Sequence, residues 1–310
     1  MLRYIVKRLL LMIVTLWIII TLTFVLMVSV PGSPFNSESS SNETVQANME
    51  RHYNLDQPKT VQYVHYLKSI VTFEFGPSMS KPHQSVTDLL GRGFPISFEL
   101  GMLAILVALV SGVGLGILAA LRHNGIIDYA AMGFAVLGIS IPNFILATLL
   151  IQQLAVNRDL FPVATWASPA HMVLPVIALA TGPMAIIARL TRSTMLEILT
   201  QDYIKMARAK GLSPWKVVFK HALRNALMPV ITIMGTLLAG ILTGSFVIEQ
   251  IFAIPGMGKY FVESINHRDY PVIMGTTVFY SAFLIIMLFL VDIAYGLLDP
   301  RIKVHKEGGE

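Results

Sequence analysis

The sequence contains no cysteine among its 310 residues. This absence excludes disulfide bonds, cysteine metal ligands and cysteine nucleophiles. Charge is scarce as well, because Asp, Glu, Lys and Arg together make up only 13% of the residues, about half of the fraction that is usual in soluble domains. Since 55% of the residues are hydrophobic, the composition indicates a polytopic membrane protein.

The motifs of nucleotide hydrolysis and of common hydrolases are also missing. No GxxxxGK(S/T) loop occurs, so we do not expect this chain to bind and hydrolyse ATP by itself. HExxH and GxSxG are absent, and the eight histidines are scattered along the chain. We therefore expect no catalytic residue and no metal site. Gly112, Gly114 and Gly116 follow no strand, and the spacing of Gly112 and Gly116, repeated at Gly240 and Gly244, instead predicts close helix packing.

Six apolar stretches reach or approach the ~20 residues that a helix needs to cross the hydrocarbon core of a bilayer. They cover residues 9–30, 100–121, 129–156, 171–188, 226–248 and 271–298. The third contains Pro142 and the shortest, the fourth, contains Pro175 and Pro183, which are tolerated where neighbouring helices satisfy the freed backbone groups. We predict an all-α polytopic membrane protein with six transmembrane helices.

The basic residues predict its orientation through the positive-inside rule. Lys and Arg cluster near the N-terminus, between residues 189 and 224, and after residue 300. We therefore expect these segments and both termini to face the cytoplasm, with the chain in the cytoplasmic (inner) membrane. The net charge of +5 is then an orientation signal and not a sign of nucleic-acid binding.

The spans divide the chain into segments of different character. We expect an N-terminal segment with the first helix (1–30), a large extracytoplasmic loop (31–96), a five-helix core (97–300) that contains a cytoplasmic loop (190–225), and a cytoplasmic tail (301–310). Within the extracytoplasmic loop, helical spacing predicts an amphipathic helix and a second helix start near Val86. The residues on the predicted inner face of the first helix are Val61, Val64, Tyr66 or His65, Leu67 and Val71.

The stretch from 202 to 229 is basic, amphipathic and placed between two apolar runs. Gly211 stands where a helix ends in a left-handed residue, and Ser213 with Pro214 form an N-cap and first-turn pair that starts a second helix. That helix has an apolar stripe of Trp215, Val218, Phe219, Ala222 and Ala226, and a basic row of Lys216, Lys220 and Arg224. A helix lying on anionic lipid explains the pattern. A docking element for a cytoplasmic partner explains the pattern too, and it also explains why the helix is interrupted at Gly211.

Few polar groups lie within the spans. Asp292 is the one acid well inside a predicted span, and we interpret it as a structural partner of an inner Lys or Arg, because a proton relay would need several such groups. Thr232, Thr236 and Thr243 follow one face of the fifth span, which suits either tight packing or the wall of a polar passage. Ser140 and Asn143, on either side of Pro142, are a second candidate lining.

Short motifs occur in order along nearly the whole chain. They are Arg3-Tyr4-Ile5, Lys7-Arg8-Leu9, Leu55-Asp56-Gln57-Pro58 with Gln62-Tyr63, Phe75-Gly76-Pro77-Ser78, Ala207-Arg208-Ala209-Lys210-Gly211, His221-Ala222-Leu223-Arg224-Asn225-Ala226 with Pro229, Ile254-Pro255-Gly256-Met257-Gly258, Arg268-Asp269-Tyr270-Pro271, and Asp292 through Tyr295 to Asp299-Pro300-Arg301. Through these motifs the chain resembles the permease subunits of peptide-type ABC importers, and it looks most similar to the first of the two permease subunits of oligopeptide and dipeptide importers.

The resemblance implies the type I importer permease fold and a transport subunit that is not itself an enzyme. It further implies a related second permease subunit in a heterodimer, two cytoplasmic ATPase subunits that hold ATP and Mg, and an extracytoplasmic peptide-binding protein above the lipid bilayer. The expected cargo is an oligopeptide, and the same architecture serves dipeptides, nickel or another small solute. An intramembrane enzyme or an ion-coupled carrier is disfavoured, because neither paired catalytic groups nor several buried acids are present.

The resemblance also implies site residues. The stretch 205–213 corresponds to the ATPase-coupling motif Glu-Ala-Ala, three residues, then Gly. Ala207 and Gly211 match this motif, whereas Lys205 and Met206 replace its Glu and first Ala. The expected coupling residues are Lys205, Met206, Ala207, Arg208, Ala209, Lys210, Gly211, Leu212 and Ser213. The expected binding-protein contact or gate is the turn Pro255, Gly256, Met257 and Gly258.

Overall fold

The computed structural model describes residues 2–29 and 43–298, without the side chains of 2–5, 43–47, 243, 244, 292 and 294–298. Within this part of the chain the predicted all-α class is confirmed, since no strand occurs there and only an isolated bridge joins Pro77 to Ser85. The predicted tail, 301–310, lies outside the described residues. The helices are α1 (Leu2–Ser29), α2 (Glu43–His52), α3 (Lys59–Thr72), α4 (Val86–Leu121), α5 (Ile126–Ser140), α6 (Asn143–Leu150), α7 (Pro169–Leu199), α8 (Asp202–Ala209), α9 (Pro214–Lys216), α10 (Leu223–Ile251), α11 (Met257–Asn266) and α12 (Tyr270–Leu298).

Five helices in the described part are long and apolar enough to cross a membrane, and the number is six if α5 and α6 together form one span. Several helices extend beyond the apolar stretches. α4 starts at Val86, as predicted for a second helix start, and α7 continues past residue 188 to Leu199. Buried Thr191, Met195 and Ile198 give this extension of α7 a packed face, so the helix persists where the apolar run has ended.

The third predicted span is divided into two helices at Pro142, and it is one of up to six spans if the two helices cross the membrane together. α5 ends at Ser140 and α6 starts at Asn143, with a bend of 105° between them. Ile141 is extended (φ −86°, ψ 119°), the conformation that a following proline favours. Pro142 therefore breaks the helix here, whereas Pro175 and Pro183 are accommodated inside α7. A π-helical segment, Ile151–Val156, continues α6.

Among the described residues, those up to 96 form one compact unit with 255–289, and residues 97–254 form another with 290–298. In the first unit α3 packs against α1 and α12 through a core that contains Tyr66, Phe24 and Val278. The predicted apolar face of α3 is partly wrong, because Val61, Val64 and Val71 are exposed. The residues that turn inward instead are Gln62, Tyr63, Tyr66, Leu67 and Ile70.

Gln62 is buried because its amide closes the preceding turn. Its Nε2 donates hydrogen bonds to the carbonyl oxygens of Leu55 (2.9 Å) and Gln57 (2.7 Å). The hydroxyl of the neighbouring Tyr63 lies 2.7 Å from Oγ1 of Thr21 on α1. Buried polar groups must find partners, and here those partners join the Leu55–Pro58 motif to α3 and α3 to α1.

In the second unit the predicted close packing of Gly112 and Gly116 is confirmed. A Cβ added at Gly112 would lie 2.8 Å from the carbonyl oxygen of Met184, and one at Gly116 would lie 2.6 Å from that of Ala188. α4 and α7 thus approach at a distance that only glycine permits. The same prediction is not met at Gly240, where an added Cβ would have no neighbour within 4 Å.

Candidate functional site

The stretch 202–229 has the predicted order of helix, break and helix. Gly211 has φ +75°, in the left-handed region. The N–H of Leu212 donates to the Ala207 carbonyl (3.3 Å), and the N–H of Gly211 donates to the Arg208 carbonyl (2.9 Å). These two bonds form a Schellman motif, which satisfies carbonyls that the end of α8 would leave unpaired. The break is thus a fixed bend and not a flexible hinge.

The restart of the helix differs from the prediction in one detail. Ser213 occupies the N-cap position and Pro214 the first turn, but the Ser213 side chain makes no capping hydrogen bond. α9 continues through a π-helical segment, Val217–Ala222, into α10. The second helix of the stretch therefore runs without interruption into the following candidate span.

The predicted single apolar stripe is divided between two faces. Val217, Val218, Ala222 and Ala226 are buried in a core with Ile117 and Ala120 of α4 and with Met195 and Ile198 of α7. Trp215 and Phe219 point outward, 66% and 53% exposed, with their rings stacked 5.5 Å apart. The π-helical segment, Val217–Ala222, begins two residues after Trp215 and contains Phe219.

The residues expected to couple to an ATPase are likewise divided. Ala207 is buried in the same core, together with Ile204 of α8, and Leu212 is half-buried against it. The other members are exposed and form an outward surface, which we call the docking face: Lys205, Met206, Arg208, Ala209, Lys210, Gly211 and Ser213. Met206, which is 58% exposed, is the largest apolar side chain on this face.

Two polar contacts fasten the helices around the docking face, one between α10 and α8 and one between α7 and α5. The amide of Asn225 on α10 donates to the hydroxyl of Tyr203 on α8, at 2.8 Å. Arg192, on the extension of α7, reaches Asp128 in the first turn of α5. Its Nε lies 2.5 Å from Oδ1, and its Nη2 lies 2.7 Å from Oδ2. Asp128 has a side chain only 2% exposed, and the backbone N–H of Asn124 also donates to it.

Sequence reasoning missed Asp128, because a lone acid beside an apolar stretch looks like an ordinary end of a span. The sequence signal for this pair was Arg192, a basic residue that precedes the basic cluster at residues 205–224. His123 lies 3.3 Å from both the Asp128 carboxylate and the Arg192 guanidinium, through Nδ1. The two hydrogen bonds between Arg192 and Asp128 thus fasten the start of α5 to the part of α7 that precedes α8.

The candidate lining residues lie on surfaces that this chain leaves open. Thr232 and Thr236 are exposed on one face of α10, and the Thr232 hydroxyl donates to the Met228 carbonyl at 2.8 Å. Ser140 is exposed and Asn143 is half-buried, one on each side of the 105° bend. The side chains of Thr243 and Asp292 lie outside the described residues, as does that of Gly244.

The turn 255–258 is more buried than a contact surface would be. Gly256, Met257 and Gly258 are buried, and Pro255 is half-buried. Met257 packs with Val86, Leu89, Leu90 and Val272 in the core of the first unit. The turn therefore positions α11, and the surface available to a partner is that of α11 itself.

A buried carboxylate that sequence reasoning did not single out joins two of the quoted motifs. Asp269, from Arg268-Asp269-Tyr270-Pro271, accepts hydrogen bonds through Oδ2 from Ser78 Oγ, Ser80 N (3.0 Å) and Ser80 Oγ (2.8 Å). Its other oxygen accepts from the Val272 N–H (3.4 Å) at the start of α12. We call Ser78, Ser80 and Asp269 the outer clasp, because they fasten the segment 73–85 to the start of α12.

Two further contacts support the outer clasp. Lys81 pairs with Glu263 of α11, with Nζ and Oε2 3.1 Å apart. The Tyr53 hydroxyl donates to the Ser78 carbonyl at 3.2 Å. Burial and the nearby Asp269 charge raise the pKa of Tyr53, so this hydroxyl remains a donor at neutral pH. No group of three or more side chains suited to a metal ion occurs in the described part of the chain.

Comparison with known proteins places these features in a family. Residues 112–304 match the model of the binding-protein-dependent transport system inner membrane component, and residues 1–100 match the model of its N-terminal region. The chain is 72% identical to the dipeptide transport system permease protein DppB of Bacillus subtilis (strain 168), over 99% of this chain and 100% of the relative. It is 42% identical to the oligopeptide transport system permease protein OppB of Salmonella typhimurium, over 98% of this chain and 100% of the relative.

Solved structures with the same fold are more distant in sequence. A chain of the MetNI methionine ABC transporter, solved in inward-facing conformations, superposes with a TM-score of 0.57. The match covers 68% of this chain and 96% of that chain at 20% identity. At that level of identity the comparison establishes the fold alone.

Proposed function

The chain belongs to the family of binding-protein-dependent transport system inner membrane components, and from this premise we propose that it is the permease subunit of an ATP-driven importer of peptides. It is a multi-pass membrane protein with the type I ABC permease fold, and it is a transport component rather than an enzyme. The observation that carries the peptide proposal is its similarity, from end to end, to permeases of dipeptide and oligopeptide transport systems.

Dipeptides are the favoured cargo within this class. One relative named for dipeptide transport is 72% identical, whereas a second relative of that name and the relatives named for oligopeptide transport are 41–43% identical over the same length. A subunit that contributes half of a wide, weakly interacting path leaves most of the selection to the binding protein. The expected lining is the exposed hydroxyl face of α10, Thr232 and Thr236 with Thr243, together with Ser140 and Asn143 at the bend between α5 and α6.

We infer that the docking face receives the ATPase. Two cytoplasmic ATPase subunits would bind ATP and Mg, and one of them would contact Lys205, Met206, Arg208, Ala209, Lys210, Gly211 and Ser213. Ala207 and Leu212 serve this contact indirectly, because they anchor α8 to α4, α7 and α10. Rigid anchoring suits a coupling element, since it converts movement of the ATPase into rotation of the spans.

On the opposite side, the outer clasp and α11 would present the surface that meets the peptide-binding protein. The buried turn Pro255–Gly258 would act as the support of α11 near the gate. A second, related permease subunit would complete the path, and both termini of this chain would lie in the cytoplasm. The fastening of the segment 73–85 to the start of α12 supports an ordered outer surface rather than a free loop.

The test of the docking face places a charge on it without disturbing the core. Met206→Glu and Ala209→Glu alter exposed positions, whereas Ala207→Glu would bury an uncompensated carboxylate and confound folding with docking. We expect either exposed variant to reduce co-purification of the ATPase subunits by tenfold or more, equivalent to about 1.4 kcal/mol, and to reduce uptake of a labelled dipeptide in parallel. The amount of permease in the membrane should not change.

Gln201→Glu is the matched control, because it adds the same charge to an exposed position at the start of α8, outside the docking face. It should retain both the ATPases and uptake. The docking assignment is wrong if Met206→Glu and Ala209→Glu co-purify and transport like Gln201→Glu. The cargo assignment is wrong if the unaltered complex imports no peptide.

A further inference from the structure

An apolar groove of about 560 Å³ lies within the second unit, between α4 and the helix that runs from Pro214 into α10. One wall comes from α4, between Leu109 and Leu121. The other comes from four residues at helical spacing: Trp215, Phe219, Leu223 and Leu227. We call this cavity the inner groove. Its volume falls in the range of small-ligand sites.

The two walls run in opposite directions, which fixes the ends of the groove. Ile117 of α4 shares a core with Val217 and Val218, whereas a Cβ added at Gly101 of α4 would lie 2.7 Å from Leu242. Leu121 and Trp215 therefore mark one end of the inner groove, and Leu109 and Leu227 mark the other.

Cations surround only the first of these ends. Lys216 and Lys220 are exposed. Lys216 directly follows Trp215 in the sequence, and Lys220 directly follows Phe219. Arg122 is exposed directly after Leu121, on the opposite wall. Beyond Arg224 the helix carries no charge from residue 225 to residue 248, a length of about 36 Å that covers the hydrocarbon core of a bilayer. The basic end thus lies at the membrane surface, and the apolar end lies within the bilayer.

We propose that the inner groove binds an anionic phospholipid of the cytoplasmic leaflet. The acyl chain would lie along Leu118, Phe219 and Leu227, and the headgroup phosphate would meet Lys216, Lys220 and Arg122. The stacked rings of Trp215 and Phe219 would sit at the level where aromatic side chains favour the bilayer interface. The inference uses the cytoplasmic placement of 202–229 proposed above, but it concerns lipid and not cargo.

The cations at the basic end of the groove favour an anionic lipid over a protein as its occupant. An apolar helix of a second permease subunit would fill the groove but would leave the cations at its mouth without a counter-charge. An anionic lipid satisfies both features, since each Lys or Arg near the surface favours an anionic lipid by about fivefold. The same site sits directly behind α8, so a lipid held there would stiffen the junction between the coupling loop and its span.

Because the chain contains no cysteine, one introduced cysteine provides a single labelling site in the groove. Leu118→Cys carries a bimane probe on the α4 wall, and the unaltered chain gives the blank for labelling of partner subunits. The full importer complex is placed in nanodiscs of phosphatidylcholine with about one third phosphatidylglycerol, a mixture that gives the surface a negative potential. Quenching of the probe is compared between discs in which either the phosphatidylglycerol or an equal amount of the phosphatidylcholine is brominated.

We expect brominated phosphatidylglycerol to quench the probe more than about fivefold more effectively than brominated phosphatidylcholine, because each of the three cations contributes a preference of about that size. Lys216→Gln with Lys220→Gln should lower this ratio to about fivefold or less, since only Arg122 then remains at the basic end. Arg189→Gln, which removes an exposed charge of α7 outside both the groove and the docking face, should leave the ratio unchanged.

Equal quenching by the two lipids in the unaltered loop would show an ordinary lipid-facing surface and would overturn the proposal. Quenching by neither lipid would show that the second permease subunit covers the groove and would also overturn it. Native mass spectrometry of complexes without the label gives an independent measurement. There the Lys216→Gln, Lys220→Gln complex should retain less phosphatidylglycerol than the control, and equal retention would contradict the site. None of these outcomes depends on whether the complex imports peptides.

Discussion

At the scale of single residues, two buried carboxylates organise the described part of the molecule. Asp128 holds Arg192 on the extension of α7 that precedes α8, and Asp269 holds Ser78 and Ser80 in the outer clasp. Each accepts several hydrogen bonds, as a buried charge must. Neither was singled out from the sequence, because the partners lie 64 and about 190 positions away.

The pair of Asp128 and Arg192 predicts a large loss of stability when one partner is removed. Arg192→Gln should lower the free energy of unfolding by about 3–5 kcal/mol, because it leaves a buried carboxylate without its cation. The measurement is the thermal unfolding midpoint of the purified complex. Lys205→Gln removes the cation of the exposed pair with Asp202 and should change stability by less than about 1 kcal/mol. Similar midpoints for the two variants would show that the buried pair is not a structural anchor.

Removing the carboxylate of the outer clasp should loosen the chain locally, in the segment 73–85. Asp269→Asn replaces an acceptor oxygen by an amide that faces three donors, so the segment 73–85 should detach from the start of α12. Hydrogen bonds to a charged group contribute about 1.5–3 kcal/mol each, and amide hydrogen exchange in that segment should accelerate by tenfold or more. Hydrogen-exchange mass spectrometry is the measurement. Glu74→Gln, which removes the same charge from an exposed position of the segment, should leave exchange unchanged, and equal rates in both variants would count against the clasp.

At the scale of helices, packing between neighbours depends on where glycine allows contact. α4 meets α7 at Gly112 and Gly116, and α8 ends at Gly211 because the Schellman motif needs a left-handed residue there. The spacing of Gly112 and Gly116 predicted this contact correctly. At Gly240 the same spacing does not mark a contact as tight, since a Cβ added there would meet nothing within 4 Å.

We therefore expect alanine substitutions at Gly116 and Gly114 to differ sharply in their effect on stability, although the two residues are only two positions apart. Gly116→Ala places a Cβ against backbone and should cost about 1–3 kcal/mol of stability through overpacking. Gly114→Ala meets nothing within 4 Å and should be neutral or stabilising by up to about 1 kcal/mol, the gain in helix propensity. Thermal unfolding and the amount of chain in the membrane measure both variants. If Gly116→Ala proved as stable as Gly114→Ala, the close contact of α4 and α7 would be refuted.

At the scale of the whole molecule, the proposed transport function requires the docking face and the outer clasp to lie on opposite sides of the membrane. A chain without cysteine allows each side to be labelled separately. Met206→Cys and His83→Cys replace exposed residues on the docking face and in the outer segment.

In intact cells or spheroplasts, an impermeant maleimide should label His83→Cys at once. Met206→Cys should react only after the membrane is permeabilised. The unaltered chain is the blank. Labelling of Met206→Cys from outside would reverse the orientation and remove the basis for an ATPase contact.

The sequence by itself determined the membrane spans, the all-α class and the break at Gly211. These features follow from local causes, namely hydropathy over about 20 residues and the backbone preferences of glycine and proline. Only the tertiary structure decided which face of α3 is buried, that Trp215 and Phe219 turn away from Val218, and that Asp128 and Asp269 find their partners. Burial and pairing depend on residues far apart in the chain, and helical spacing specifies a face without specifying what lies against it.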